Sequence, residues 1–357
     1  MRPDARAGRG APENATPTRF NLPVREADGD WLDARDEVDE GAPPLRTTVA
    51  VEKPKTIITR NASPDIGFDR SINPYRGCEH GCIYCFARPT HAFHDLSPGL
   101  DFETRLFAKP DAAKLLRAEL ARPGYAVRPI AMGTNTDPYQ PIERTWRITR
   151  SVLEVLAETR HPVTITTKSD RVLMDLDLLG EMAKLDLVSV ALSVTSLEPA
   201  ISRTLEPRAP AARKRLAAVK ALAGAGVPAW VAIAPVVPGI TDHELEQIVE
   251  AAAEAGALGC FYLPVRLPFE VAPLFGAWLE EHYPDRAGKV MHIIQSLRGG
   301  KDNDPNWFSR MRGSGPWADL LKTRFERAVK IHGLNLEKRP LRRDLFEAPQ
   351  GPQLRLL

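Results

Sequence analysis

The chain has 357 residues, with 48 Lys and Arg against 46 Asp and Glu, so its net charge indicates no particular partner. Its four cysteines, three of them crowded into one short stretch, do not form the evenly spaced framework of a disulfide-rich secreted protein. No apolar run reaches membrane-spanning length, and the N-terminus lacks the apolar core of a signal peptide. The composition therefore predicts a cytoplasmic protein without membrane contact.

Residues 1–50 are rich in Pro, Gly and charged residues and carry almost no periodic apolar positions. Such a composition buries too little surface to fold alone, so we expect a disordered or loosely attached arm. The patterns that follow predict a core domain over residues 51–285 and a C-terminal extension over residues 286–357.

Short β-branched runs and amphipathic helical patterns alternate through the core. The predicted strands cover residues 71–77, 128–136, 163–169, 187–196, 228–239 and 259–267. The predicted helices cover residues 143–160, 171–184, 209–225, 242–255 and 270–282. This alternation predicts an α/β fold in which helices cover a parallel sheet, and six units favour a partial (β/α)6 TIM-like barrel. Functional residues are then expected at the C-terminal ends of the strands.

The extension begins with a loop rich in Gly, Asp and Asn, followed by a predicted helix over residues 318–332 and a basic terminus. It could form a lid or pack on the barrel. Its aromatic and basic residues are compatible with a nucleic-acid partner, although we favour a charged surface extension as their explanation. They are Trp307, Arg310, Arg312, Trp317, Lys338, Arg339, Arg342 and Arg343.

Cys78, Cys82 and Cys85 form a C-x3-C-x2-C stretch directly after the first predicted strand. Thiolates select zinc, copper(I) or iron–sulfur clusters. A structural zinc site needs a fourth protein ligand, for which the nearest residues are His80, His91 and His94. A [4Fe–4S] cluster on three cysteines instead keeps one iron open for a small molecule. In either case Gly77 and Gly81 are expected to supply positive φ angles to the loop.

The stretch NPYRGCEHGCIYCFAR, residues 73–88, resembles the radical S-adenosylmethionine (SAM) superfamily, in particular the branch that includes spore photoproduct lyase. The resemblance extends from residue 71 to about residue 270. It implies a barrel of the radical SAM type and a [4Fe–4S] cluster on Cys78, Cys82 and Cys85 with SAM bound at the open iron. It also implies an enzyme that cleaves SAM reductively to a 5′-deoxyadenosyl radical, with a reductant such as flavodoxin or ferredoxin as partner.

The resemblance further implies SAM contacts near three positions. Tyr84, the aromatic residue before the third cysteine, would pack near the adenine, while Lys168 and Ser193 at the ends of the third and fourth strands would contact SAM. A lysine can pair with the SAM carboxylate, and a serine hydroxyl can bond carboxylate or ribose. A solvated strand-end lysine and a satisfied strand serine are the simpler alternatives.

Four more residues are candidates for SAM binding. Asn135, Thr136 and Asp137 follow the second predicted strand and offer oxygen acceptors to the SAM ammonium. The same segment also has the composition of a turn, started by Asp137 and the proline after it. Arg208 in LEPRAP could clamp a carboxylate, or could be an ordinary surface arginine.

One feature departs from the resemblance. Spore photoproduct lyase relies on a hydrogen-donating cysteine in the second-strand region, where this chain reads MGTNTDPYQ. The remaining thiol, Cys260, lies on the sixth predicted strand and is expected to be buried and structural. We therefore expect a radical SAM enzyme with an unknown substrate. The alternatives are a non-enzymatic nucleic-acid-binding protein with a structural metal loop, and a nucleic-acid repair lyase.

Overall fold

The computed structural model describes residues 8–17, 45–336 and 340–349. Its main sheet has seven strands in the order β10-β9-β8-β7-β6-β3-β2. Six of them run parallel, and only β2 is antiparallel to its neighbour. These strands are β2 Ile58–Arg60, β3 Arg70–Ile72, β6 Ile130–Met132, β7 Val163–Thr167, β8 Val188–Ser193, β9 Ala229–Val236 and β10 Gly259–Pro264. The predicted partial six-fold barrel of the radical SAM type is confirmed.

The two faces of the sheet differ because side chains alternate along each strand. Val163 and Ile165 of β7 are buried in the same core as the covering helices, as are the corresponding valines of β8. On the other face lie Thr164, Thr166 and Ala191, which are only partly buried. Small and hydroxyl-bearing side chains therefore line the face turned away from the helices.

Helices follow the parallel strands; two of them, Pro199–Leu205 and Ala287–Leu297, were not predicted from the sequence. They are Glu143–Trp146, Ile148–Glu158, Leu176–Ala183, Pro199–Leu205, Ala212–Gly224, Leu245–Glu254, Val271–His282 and Ala287–Leu297. The single helix predicted over residues 143–160 is divided at Arg147, whose φ is +51°. Two other predicted helices start with 3-10 turns, Asp170–Asp175 and Asp242–Glu244.

The sequence missed a second, three-stranded sheet. It joins β1 (Thr48–Val51), β5 (Arg105–Ala108) and β4 (Tyr75–Arg76). The strand predicted over residues 71–77 is in fact divided between the two sheets, because Ile72 pairs with β6 whereas Tyr75 pairs with β5. Pro74 stands between the two strands, and a proline has no N–H to continue a ladder. Two further helices belong to this region, Asp101–Thr104 and Ala112–Leu120.

The described part of the C-terminal extension packs on the barrel. Helix Pro316–Ile331 lies against helix Leu245–Glu254, where Arg324 pairs with Glu246 at 2.6 Å. The Asn335 side chain accepts from the Cys260 N–H at 2.8 Å and donates to the Cys260 carbonyl at 2.9 Å. An amide that bonds both backbone groups in this way covers the open edge of β10. The short helix Ser309–Arg312 precedes helix Pro316–Ile331.

No helix among the described residues is long and apolar enough to span a membrane.

Candidate active site

The cysteine loop lies between β4 and a 3-10 helix, Arg88–His94. It is built from turns in which the Gly81 N–H bonds the Cys78 carbonyl and the Cys85 N–H bonds the Cys82 carbonyl. Gly77 and Gly81 have φ of +70° and +67°, as predicted. At Gly77 a Cβ would also lie 2.8 Å from a backbone oxygen, so glycine is required there for space as well as for conformation.

A buried ion pair stabilises the backbone of this loop. Arg88 and Glu103 are both fully buried and lie 2.5 Å apart. The Arg88 guanidinium also donates to the carbonyls of Gly81 (3.2 Å) and Cys82 (2.9 Å). Since a buried charge is tolerated only when it is paired and hydrogen-bonded, this pair fixes the backbone of the loop.

Residues 8–17, inside the segment predicted to be loosely attached, pack against the same pair. The backbone N–H groups of Gly10 and Ala11 donate to the Glu103 carboxylate at 2.9 and 2.8 Å. A Cβ on Gly10 would lie 1.7 Å from the Gly81 carbonyl oxygen, so the two backbones are in direct contact. The start of the described chain is thus part of the structure around the cysteine loop, while residues 18–44 lie outside the described residues.

The three loop cysteines are free thiols that are largely buried. Burial raises the pKa of Cys78 well above its usual value, raises that of Cys82 to about 12, and raises that of Cys85. Without a cation the thiols would therefore stay protonated, and the charge of a bound metal is what would deprotonate them. The site thus suits a metal that thiolates hold.

A single zinc ion sets an upper limit on the distance between its ligands. Ligands about 2.3 Å from a tetrahedral zinc ion lie about 3.8 Å apart. Across the described residues, no group of three that includes a cysteine has its ligand atoms within 4.8 Å of one another. As the side chains stand, Cys78, Cys82 and Cys85 are therefore not gathered around a single ion position.

The histidines considered as a fourth zinc ligand have other neighbours. His91 Nε2 lies 2.9 Å from the Arg105 carbonyl oxygen. The His94 ring stacks on Phe107 with centroids 4.5 Å apart. His80 Nδ1 is 3.3 Å from Asp137 Oδ2. Among the described residues, none of these histidines forms a group with two of the cysteines in which the ligand atoms lie within 4.8 Å of one another.

Tyr84 leads to a buried polar group that the sequence did not reveal, centred on Glu206. The Tyr84 hydroxyl donates to the Glu206 carboxylate, as does the Arg215 guanidinium. Thr195 Oγ1 adds a third hydrogen bond at 2.6 Å, and Lys168 Nζ lies 3.7 Å away. Burial would raise the pKa of Glu206, but Arg215 and Lys168 outweigh it and lower that pKa to about 2.

Two predicted SAM contacts, Lys168 and Ser193, lie around this group. Lys168 Nζ sits 5.7 Å from the centre of the Tyr84 ring and 3.4 Å from the Ala234 carbonyl oxygen. The Ser193 backbone carbonyl accepts from Arg215 at 2.9 Å, and its side chain is buried at the end of β8. The structure therefore brings Tyr84, Lys168 and Ser193 together at the C-terminal ends of the strands.

Asp137 has a structural role that its place in the sequence only partly suggested. Its carboxylate accepts from the Thr167 hydroxyl at 2.6 Å and from the backbone N–H groups of Lys168 and Tyr139 at 2.7 and 2.9 Å. Burial would raise the pKa of Asp137, but His80 and these hydrogen bonds lower it to about 2. Asp137 thus joins the end of β6 to the end of β7, and its bond from the Tyr139 N–H belongs to the local turn considered for it.

The two residues before Asp137 differ from each other. The Thr136 hydroxyl is buried and donates to the Tyr75 carbonyl at 3.0 Å. The Asn135 backbone N–H bonds the Asn73 side chain at 3.0 Å, whereas the Asn135 side-chain amide makes no hydrogen bond within the described part of the chain. Of the three predicted acceptors, Asn135 is the one whose side chain remains available to a ligand.

Arg208 holds two parts of the site together. Its guanidinium lies 3.1 Å from Glu79 of the cysteine loop, and its backbone N–H donates to the His80 carbonyl at 3.3 Å. Its side chain is 37% exposed, so part of the guanidinium still faces solvent.

Sequence reasoning missed three buried residues of this site: Glu206, Arg215 and Gln140. The Gln140 side chain accepts from the Glu79 N–H at 3.0 Å and donates to the Gly77 carbonyl at 3.1 Å, so it ties the cysteine loop to the end of β6. Glu206 and Gln140 both lie in segments that had attracted attention, LEPRAP and GTNTDPYQ. A polar residue beside a proline in such a loop was the signal available for them.

Comparison with known proteins extends these observations. A model of the radical SAM superfamily matches residues 72–252. An uncharacterised protein of Mycobacterium tuberculosis is 39% identical over 230 residues, which cover 64% of this chain and 68% of the relative. An uncharacterised protein of Methanocaldococcus jannaschii is 28% identical over 214 residues, covering 60% and 76% of the two chains.

Solved structures share the fold. Spore photoproduct lyase complexed with dinucleoside spore photoproduct aligns with a TM-score of 0.55 over 80% of this chain and 79% of its own, at 16% identity. A point mutant of that lyase aligns with a TM-score of 0.56 over 87% and 85%, at 15% identity. At such identities the likeness is one of fold.

Proposed function

The chain belongs to the radical SAM superfamily, and from this we propose that it binds one [4Fe–4S] cluster through Cys78, Cys82 and Cys85 and cleaves SAM reductively, so that a 5′-deoxyadenosyl radical acts on its substrate. The observation that carries the proposal is the cysteine loop itself. Its three unpaired thiols are largely buried, and as the side chains stand they are not gathered around a single ion position. When bound, the cluster supplies an electron and SAM supplies the adenosyl group.

The chain's own residues would bind SAM and keep the site in shape. Lys168 offers a positive charge for a carboxylate, and the Asn135 amide oxygen offers an acceptor for an ammonium group. Glu206 remains anionic beside Arg215, so it holds the Tyr84 hydroxyl and with it the orientation of the ring.

Apolar side chains would exclude water from the region around the cysteine loop. Cys82, Ile83 and Tyr84 share a buried cluster with Val237 and Ile240 at the end of β9. These residues form an apolar wall beside the cysteine loop.

The proposal is tested by anaerobic reconstitution with iron and sulfide. We expect about four irons per chain and release of 5′-deoxyadenosine from SAM with a chemical reductant or reduced flavodoxin. Substrates labelled with deuterium would then be screened for transfer of the label into 5′-deoxyadenosine. Stoichiometric zinc in place of iron, with no SAM cleavage, would overturn the proposal.

A specific surface favours nucleic acid as the substrate. Phe86, directly after Cys85, is 49% exposed, and the Arg266 guanidinium carbon lies 5.2 Å from the centre of its ring. Arg266 also contacts Met311, close in sequence to the exposed side chains of Trp307 and Phe308. Exposed aromatic rings with arginines are the means by which proteins bind single-stranded nucleic acid.

Salt-dependent binding of labelled single strands, weakened by Phe86→Ala, would support this substrate class. Binding that is unchanged when SAM and the cluster are absent, in a protein that does not cleave SAM, would favour the non-enzymatic alternative. If no binding of the labelled strands is detected at low salt, nucleic acid is neither the substrate of the proposed enzyme nor the ligand of the non-enzymatic alternative.

A repair reaction that needs a protein thiol as hydrogen donor is disfavoured. Cys260 is 2% exposed, packs in the core shared with the helices, and has its pKa raised to about 12 by burial. The other three cysteines are those of the loop. A lyase of the spore photoproduct kind would therefore lack its usual hydrogen donor here.

A further inference from the structure

Three potential metal ligands meet at the C-terminal edge of the sheet, apart from the cysteine loop. Glu198 follows β8 and precedes helix Pro199–Leu205, while His243 and Glu244 belong to the 3-10 turn after β9. Because β8 and β9 are parallel neighbours, the segments after them emerge side by side. One ligand atom from each of the three side chains lies within 4.8 Å of the other two.

Glu244 supplies the second observation. Its side chain is 1% exposed, and Oε1 accepts the backbone N–H groups of Leu197 at 2.8 Å and Glu198 at 3.1 Å. Oε2 is buried and has no hydrogen-bond partner within the described part of the chain. A buried carboxylate oxygen without a donor is costly, so this atom requires a partner that the polypeptide does not provide.

The charges of the group are also unbalanced. Glu198 lies 2.9 Å from His243 Nε2, and no lysine or arginine among the described residues forms an ion pair with Glu198 or Glu244. Two carboxylates that share a site with one imidazole repel each other unless a cation stands between them. A divalent metal ion between the two carboxylates would neutralise both.

We propose that Glu198, His243 and Glu244 bind a divalent metal ion of the zinc type. One imidazole nitrogen with two carboxylate oxygens is a donor set that zinc accepts, whereas calcium and magnesium favour oxygen alone. Water would take the remaining position, because Glu198 and His243 are both more than half exposed.

The bound ion would act on the shape of the neighbouring active site. Helix Pro199–Leu205 connects Glu198 to Glu206, the carboxylate that holds Tyr84 and Arg215. An ion at the start of this helix would fasten it to the turn after β9. Its role is therefore structural, and it does not depend on the chemistry proposed for the cysteine loop.

The test uses the full chain with its cluster reconstituted, freed of loosely bound metal and dialysed against a series of zinc buffers. Iron and zinc are then counted separately by mass spectrometry. We expect one saturable zinc per chain, and we expect His243→Gln and Glu244→Gln each to weaken it about tenfold or more without changing the iron content. His292→Gln, which changes an exposed histidine on helix Ala287–Leu297, is the matched control.

Zinc-edge X-ray absorption provides the second readout. Coordination by nitrogen and oxygen supports the proposal, whereas sulfur neighbours would place the zinc on the cysteines and overturn it. Equal zinc affinity in the wild type and His243→Gln, or no saturable binding, would also overturn it. Unchanged iron content and circular dichroism exclude misfolding as the cause of a loss in either variant.

Discussion

Replacement of Glu206 by glutamine should destabilise the protein strongly, because this carboxylate neutralises two buried or half-buried cations. The change keeps the volume of the side chain and removes its charge. Arg215 is only 2% exposed and would then lie buried without a counter-charge. Breaking one side of a buried ion pair typically costs about 3–5 kcal/mol.

The pKa of Glu206 gives a second measure of the same effect. A carboxyl whose pKa falls from 4.5 to about 2 on folding contributes about 3 kcal/mol of stability at neutral pH. Because the folded pKa is the lower one, this contribution is complete above about pH 4.5 and is lost as the pH falls towards 2. The wild type should therefore lose stability over that range more steeply than Glu206→Gln.

Urea unfolding of the metal-free chain under reducing conditions measures the difference, since no cluster loss then contributes. We expect the free energy of unfolding to fall by about 3 kcal/mol in Glu206→Gln. Glu250→Gln, on the exposed side of helix Leu245–Glu254, should change it by less than about 0.5 kcal/mol. A second change, Arg215→Met, should restore part of the loss, because it removes the stranded charge. Glu206→Gln with wild-type stability at pH 7 would refute the reasoning.

Three further changes test the site. Cys82→Ala should abolish iron loading and SAM cleavage while leaving the fold intact, as measured by iron content and circular dichroism; four irons in this variant would contradict the ligand assignment. Lys168→Ala should weaken SAM binding by about 1.5–3 kcal/mol at unchanged iron content in calorimetric titrations, because it removes a charge-assisted contact; unaltered affinity would exclude that contact. Gly77→Ala should cost about 1–3 kcal/mol of stability, since φ is +70° and the new Cβ would meet the Phe102 carbonyl, whereas Gly276→Ala, in open space on a helix, should not destabilise.

The class of the fold and the position of the cysteine loop could be predicted from the amino-acid sequence. Apolar residues repeat at the periods of strands and helices, so each β/α unit shows in its own short stretch of chain. The cysteine loop could also be predicted, because Cys78, Cys82 and Cys85 lie within eight residues and the glycines with positive φ, Gly77 and Gly81, are adjacent to them in the sequence. These features are local, and local patterns survive without knowledge of the rest of the molecule.

The hydrogen-bond partners of the polar side chains could not be predicted, because they come from distant parts of the chain. Asp137 was predicted to bind an ammonium group, yet its oxygens accept hydrogen bonds from Thr167 and Lys168, which lie about thirty positions further along the chain. Glu206 left no periodic signal, because its partners Tyr84 and Arg215 come from different elements of the chain.

The support of the cysteine loop was hidden for the same reason. Glu103 accepts a hydrogen bond from the backbone N–H of Gly10, 93 residues away, and forms an ion pair with Arg88. The composition of the first fifty residues predicted no such contact, since two backbone N–H groups carry it and every residue except proline has one. Backbone contacts and ion pairs between distant residues depend on the three-dimensional fold. They therefore leave no pattern in the amino-acid sequence.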